Sequence, residues 1–501
     1  MEAAVCRTRQ GAVRGTLSAD GGIAAFLGIP YAAPPFGPLR FRPPAAPRAW
    51  SGTRDATAHG PTPPKAPYTP PFDTLIPEAS VPGEDCLNLN VWTPSPGPGA
   101  RLPVMVWLHG GAFTNGSAAS SAYDGSAFAR DGVVFVSLNY RLGADGFLHL
   151  DGVPDNRGLL DQLAALEWVR DNIAEFGGDP DQVTVFGESA GALAIGFLLA
   201  DEQVRRRGLF RRAILQSGAA HHFLRPRSAR RITERLAEKL AIEPTADAFA
   251  AVPMDRLLAA QAELRREIGA RPDPAVWGEA ALNAMPFEPV TAGPAEDGLE
   301  LPGPDCGVEL LIGSNLEEYR LFLVPTGRLE LLPDAKLRAT AEAYGLDPDK
   351  ALPVYRDARP GAVPGEIFDA MTTDWFYRIP AIRLAESVPG SYMYEFARRS
   401  SAFDGRLGAC HGSELAYVFD RLDDPTYAPL IGEGAPQAVA DAMHGAWVAF
   451  AKTGDPGWAP YDTGAAAAGA GTRATMIFDD VAPGVVEDPR AEERALWEGV
   501  R

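Results

Sequence analysis

Apolar residues along this chain fall into two alternating rhythms. Short unbroken runs such as Val104 to Leu108, Val133 to Ser137 and Val183 to Phe186 sit between turn residues, as strands buried on both faces do. Between them Leu159, Leu163, Leu166, Val169, Ile173 and Phe176 recur every third or fourth position and mark the inner face of a helix, which Gly177-Gly-Asp-Pro180 then stops. Further strands are expected at Ala213 to Leu215, Val308 to Ile312, Ser391 to Phe396 and Thr475 to Phe478, and a helix over Ala192 to Leu199. This alternation predicts an α/β protein with a large, mostly parallel central sheet flanked by helices.

From about 223 to 304, and again from about 325 to 390, the composition predicts helical insertions that form a cap. The Pro-rich run Pro61 to Pro82 and the Gly/Ala tract Gly464 to Gly471 read as irregular. Neither is a linker that would divide the chain, so residues 1–501 are expected to form a single domain.

Hydrophobic residues make up 46% and charged residues 22%, enough apolar surface for a packed core. Basic residues number 46 against 65 acidic ones, a formal charge of −19 that repels phosphate backbones and anionic lipid and argues against nucleic acid or membrane as a partner. The four cysteines, Cys6, Cys86, Cys306 and Cys410, lack metal-site spacing and are too sparse for a disulfide scaffold. No segment is apolar for long enough to span a bilayer, and the start lacks a charged stretch followed by an apolar one. The expectation is a cytoplasmic protein without metal or cofactor.

Chemistry concentrates at Gly187-Glu-Ser-Ala-Gly191, a G-x-S-x-G set between a strand and a helix. A tight bend there holds the Ser189 hydroxyl outward, and the helix starting at Ala190 turns its first amides toward any negative charge developing beside it. A serine needs a base, and on this architecture acid and then histidine follow it. His59, His109 and His149 precede the serine, and His221 and His222 come too soon for an acid-bearing strand to intervene. His444 sits at helical spacing and reads as a packing residue, which leaves His411 in the loop Gly408 to Gly412. Glu317 and Glu318 both follow the strand Val308 to Ile312, and local chemistry does not separate them. His109-Gly-Gly-Ala-Phe113 supplies a Gly-rich loop for an oxyanion hole, with backbone amides of Gly111, Ala112 and Ala190 as donors and Gly110 supplying conformational freedom. Phe113, Phe223, Leu321 and Phe322 are candidate apolar lining, with Phe113 and Phe322 foremost; each is equally compatible with core packing.

These residues resemble the type-B carboxylesterases of the α/β-hydrolase superfamily, most of all bacterial para-nitrobenzyl esterase-like members. The likeness runs through Gly28 to Pro35 with Leu39 to Arg42, Glu84 to Val91, Asn139 to Gly143, Asn172 to Pro180 into the elbow, and Trp447 to Pro456. It implies an α/β-hydrolase fold and a serine esterase that forms an acyl-enzyme from a small-molecule ester, with a Ser189, Glu318 and His411 triad. Glu318 is preferred over Glu317 because Gly313, Asn315 and Glu318 match the family's pattern. Tyr319 stands where the family often has glycine, so the local turn is expected to differ. Secreted relatives bridge the cysteine matching Cys86 to one that would fall near Thr62; that partner is missing, which predicts an unstapled Pro61 to Pro82 segment freer to move. Asn115-Gly-Ser117 matches a glycosylation sequon but lies in the oxyanion loop and reads as structural.

Overall fold

Strands whose side chains are buried on both faces form the parallel part of the fold. In the computed structural model, which describes residues 4–291, 299–464, 471–481 and 483–500, the strand Val134–Leu138 is buried at every position. The contacts divide the chain into two units, one of Met1–Tyr68, Glu78–Arg211 and His221–Glu300, the other of Thr69–Pro77, Arg212–Ala220 and Leu301–Arg501.

In the first unit Leu102–Leu108 lies between Gly178–Glu188 and Val134–Leu138, parallel to both. Beyond Val134–Leu138 the sheet continues antiparallel through Asn88–Thr93, Ala24–Pro30 and Thr16–Leu17. This antiparallel flank is additional to the expected strands. Asn88–Thr93 is wholly buried yet carries alternating polar residues, which hides it from a reading of apolar runs. Each polar group finds a distant partner: Asn90 Nδ2 donates to Ala118 O and Ser137 Oγ, both at 3.0 Å, and Thr93 Oγ1 donates to Phe176 O at 2.7 Å.

The helix Arg157–Asn172 tightens into the 3-10 turn Ile173–Phe176 and ends at Gly177, whose φ of 83° is open to glycine. The next strand starts at once, at Gly178 rather than at Val183, because Gly178 already pairs with Leu102. The first insertion folds into helices that include Pro226–Leu240 and Met254–Ala270; its residues 292–298 lie outside the described residues.

In the second unit Arg212–Gln216, Glu309–Asn315, Tyr392–Phe396 and Ala474–Phe478 are parallel in that order, and Gly484–Glu487 closes the edge antiparallel. The second insertion forms Asp334–Ala343, Pro348–Asp357, Pro364–Thr373 and, after the π-turn Asp374–Arg378, Ile379–Ser387. Residues 465–470 of the Gly/Ala tract lie outside the described residues. Among the described residues no helix is long and apolar enough to cross a membrane.

All four cysteines are free and buried, in keeping with an unbridged Cys86. The ends of the Pro61 to Pro82 segment are nevertheless joined by hydrogen bonds. Thr62, at the position of the missing cysteine, donates its N–H to Val81 O at 2.9 Å and accepts from Val81 N at 3.1 Å, so its ends are tied without sulfur.

Candidate active site

The first unit presents the serine on a strained bend. Ser189 has φ 52° and ψ −121°, a conformation that a side chain-bearing residue takes only where its surroundings impose it. What imposes it is the close approach of the next turn to Leu102–Leu108: a Cβ at Gly191 would come within 2.0 Å of Leu108 O, so only glycine allows the helix to start there. The helix Ala190–Ala200 is apolar, is buried over its first ten residues, Ala190 to Leu199, and has no side-chain cap, leaving its first amides directed at the half-buried Ser189.

The Gly-rich loop lies against that bend. A Cβ at Gly110 would meet Glu188 Oε2 at 2.6 Å and Ser189 Cβ at 3.2 Å, and Gly110 is not at positive φ. Gly110 is therefore needed for close approach, not for the conformational freedom expected of it. The freedom is required one step on, where Gly111, Ala112 and Phe113 take φ of 115°, 52° and 58°. Phe113 is wholly buried, with its ring 4.7 Å from that of Phe147. His109 is buried too, stacked on Tyr140 at 4.5 Å, with Nδ1 2.8 Å from Gly110 O. Since the carbonyl can only accept, Nδ1 carries the proton. Burial, partly offset by that bond, lowers the imidazole pKa to about 4 and keeps it neutral.

The second unit holds Glu318 and His411. Glu318 is wholly buried just past the strand Glu309–Asn315, and its Oε2 lies 2.7 Å from Nδ1 of His411. The carboxylate accepts, so Nδ1–H is the donor in this bond. Asn315 N donates to the other oxygen, Oε1, at 2.7 Å. Glu317 is occupied elsewhere: it pairs with Arg320 at 2.9 Å and with Arg399, and accepts from Ala409 N at 3.0 Å. Tyr319 has φ −78° and ψ −8°, ordinary helical backbone that requires no glycine.

Around His411 stand Tyr377 and Phe322, with ring centroids 4.9 and 5.9 Å away; Phe322 is half-buried and Tyr377 buried. Leu321 is buried, and Phe223 is half-buried in the first unit beside Phe197. His444 is buried in the helix Gln437–Thr453 with Nδ1 2.7 Å from Val418 O. Asn115 is nearly buried and donates to Ala66 O at 2.8 Å, the structural part expected of it.

The family model described as Carboxylesterase family matches residues 2–464. The chain belongs to the carboxylesterase family. It is a carboxylic ester hydrolase, and para-nitrobenzyl esterase of Bacillus subtilis (strain 168) is 36% identical to it over 98% of this chain and 97% of that protein. Fumonisin B1 esterase of Sphingopyxis macrogoltabida is also 36% identical, over 90% of this chain and 82% of that protein. A solved carboxylesterase of Geobacillus stearothermophilus superposes with a TM-score of 0.81 at 34% identity, covering 99% of this chain and all of the other. The fold is accordingly that of the α/β-hydrolase carboxylesterases.

Two further carboxylates of this carboxylesterase had no role assigned from sequence. Glu414 is wholly buried three residues past His411; Asn315 Nδ2 donates to its Oε2 at 2.6 Å and Gln216 Nε2 to its Oε1 at 3.2 Å. Burial, reinforced by the negative charge of Glu318, raises its pKa. Asp369 accepts from Tyr319 N at 2.9 Å, and burial lifts its carboxyl to about 7 against the pull of Arg320. Glu414 falls in the segment after His411 that resembles the family's histidine motif, whereas Asp369 belongs to no local motif. Only its place on the helix Pro364–Thr373 could have pointed to Asp369.

Proposed function

We propose that this carboxylesterase cleaves small-molecule carboxylic esters through an acyl-enzyme on Ser189, without metal or cofactor. The Ser189 hydroxyl attacks the ester carbonyl while Nε2 of His411 takes its proton; the tetrahedral oxyanion is held by the amides of Gly111, Ala112 and Ala190. His411 returns the proton to the departing alcohol, and water then repeats the sequence to release the acid. Glu318 orients the imidazole and stabilises its protonated form. The observation that carries this reading is the strained backbone of Ser189, since such a conformation persists chiefly where function requires it. The reading is supported by the 2.7 Å bond between Glu318 Oε2 and His411 Nδ1, which leaves proton exchange with the serine to Nε2.

Phe322, half-buried beside His411, and Phe113 are assigned to the substrate lining. We read residues 1–501 as one domain, since the two units exchange segments along the chain and neither is continuous. Four free, buried cysteines fit a reducing, cytoplasmic setting.

The test is labelling with a serine-reactive phosphonate followed by peptide mass spectrometry, together with turnover of para-nitrophenyl esters of graded acyl length. Ser189 should carry the label, and Ser189→Ala should lose activity by a factor of about 10⁴ or more with the fold intact. Label on another residue, or none, would overturn the reading.

A further inference from the structure

Glu78, at the end of the Pro-rich segment, makes a pair of contacts that the chemistry above does not use. Its Oε1 accepts from Gly116 N at 2.8 Å, and its Oε2 accepts from Asn115 Nδ2 at 2.9 Å. Both donors belong to the loop that begins at His109. Gly116 in turn presses on the start of that loop: a Cβ there would lie 2.4 Å from Gly110 O and 2.5 Å from His109 Nδ1.

Gly110 C=O and Gly111 N–H belong to one peptide group, which is planar and trans, so fixing the carbonyl fixes the opposite direction of the N–H. Gly116 and the His109 ring both bear on that carbonyl. The loop needs such a restraint, because Ala112 and Phe113 stand at φ of 52° and 58°, strain that an unheld loop would release. A carboxylate suits the task, offering two acceptor oxygens to two donors where an amide offers only one. Its charge is answered nearby: Lys65 donates to Ala79 O at 3.0 Å, and the field of Glu78 opposes the lowering of the Lys65 pKa by burial.

We propose that Glu78 is a positioning residue for oxyanion stabilisation, its carboxylate clasping Asn115 and Gly116 and so setting the direction of the Gly111 and Ala112 amides. This rests on the acyl-enzyme reading above. The amides then meet the tetrahedral oxygen without rearranging during the reaction, which is where preorganised donors act.

The test compares Glu78→Ala and Glu78→Gln with the parent enzyme in steady-state kinetics, thermal melts and binding of an alkyl trifluoromethyl ketone, which forms a tetrahedral adduct with the serine. Glu78→Ala should lower kcat by about tenfold to a hundredfold while KM stays within about threefold. The ketone's affinity should fall by the same factor, and Glu78→Gln, keeping one acceptor, should be intermediate in both. Unchanged kcat and ketone affinity in both variants would overturn the proposal, as would a kcat loss that leaves ketone affinity untouched. Should Glu78→Ala fail to fold, Glu78→Gln decides on the same two readouts. Phosphonate labelling of the parent separates the two ideas: no label on Ser189 sinks the acyl-enzyme reading, whereas a labelled Ser189 with Glu78 variants of normal turnover sinks the clasp alone.

Discussion

At the scale of single residues, burial decides what each ionisable group does. His109 is held neutral down to about 4, against an ordinary value of 6.5, because its ring is buried against Tyr140. An unfolded chain takes up that proton near 6.5 while the folded one refuses it until about 4. Folding stability therefore falls as pH drops through this window, by about 3 kcal/mol for this group. Asp369 has the opposite sign: its folded carboxyl, raised to about 7, favours the native state in acid, and that stability is lost as pH rises toward 7. His109→Asn keeps a donor for Gly110 O and removes the titration. Urea unfolding from neutral pH down to pH 4 should show the variant less stable throughout but with a flatter acid decline; an unchanged slope would refute the assignment. The choice between Glu317 and Glu318 belongs to this scale as well. Both are carboxylates on one loop that local chemistry does not separate; the family pattern favours Glu318, and their partners agree, Arg320 and Arg399 for Glu317 and His411 for Glu318.

At the scale of elements, a buried ion pair joins the segment after Val134–Leu138 to the helix Arg157–Asn172. Arg141 donates Nε and Nη2 to Asp161 at 2.8 and 2.7 Å, its own N–H also donates to Asp161 at 3.0 Å, and Asp161 is wholly buried. Removing one partner leaves the other charge without compensation. Asp161→Ala should cost about 3 to 5 kcal/mol in denaturant melts, whereas an exposed pair such as Arg338 with Asp349 should cost under about 1 kcal/mol. Strands of the parallel region were legible because burial on both faces makes them unbroken apolar runs. Ala24–Pro30 and Asn88–Thr93 were not. Their Asn and Gly positions look like loop until side chains far away in sequence satisfy them, as when Gly28 N donates to Asn90 Oδ1 at 2.9 Å.

At the scale of the whole molecule, neither compact unit is a continuous stretch of chain. Arg212–Ala220 clusters with the second unit although it lies between two segments of the first, and its strand Arg212–Gln216 pairs with Glu309–Asn315. A chain cut between residues 300 and 301 thus strands one partner of that pairing on the wrong fragment. The separately expressed halves should be insoluble or lack cooperative thermal unfolding; two soluble, cooperatively melting fragments would contradict this.

What the sequence by itself determined is the order of buried strands, the G-x-S-x-G bend, the Gly-rich loop and the shortlist of histidines. These depend on neighbours within a few residues, where backbone sterics and local hydrophobic pattern act. Tertiary structure alone decided that Glu317 is taken up by Arg399, that Gly110 is needed for proximity to Ser189, that Thr62 ties a loop lacking its cysteine, and that Asn88 and Asn90 are interior. Each of these is a hydrogen bond or a close approach between residues far apart in the chain, and such partners exist only once the backbone has folded.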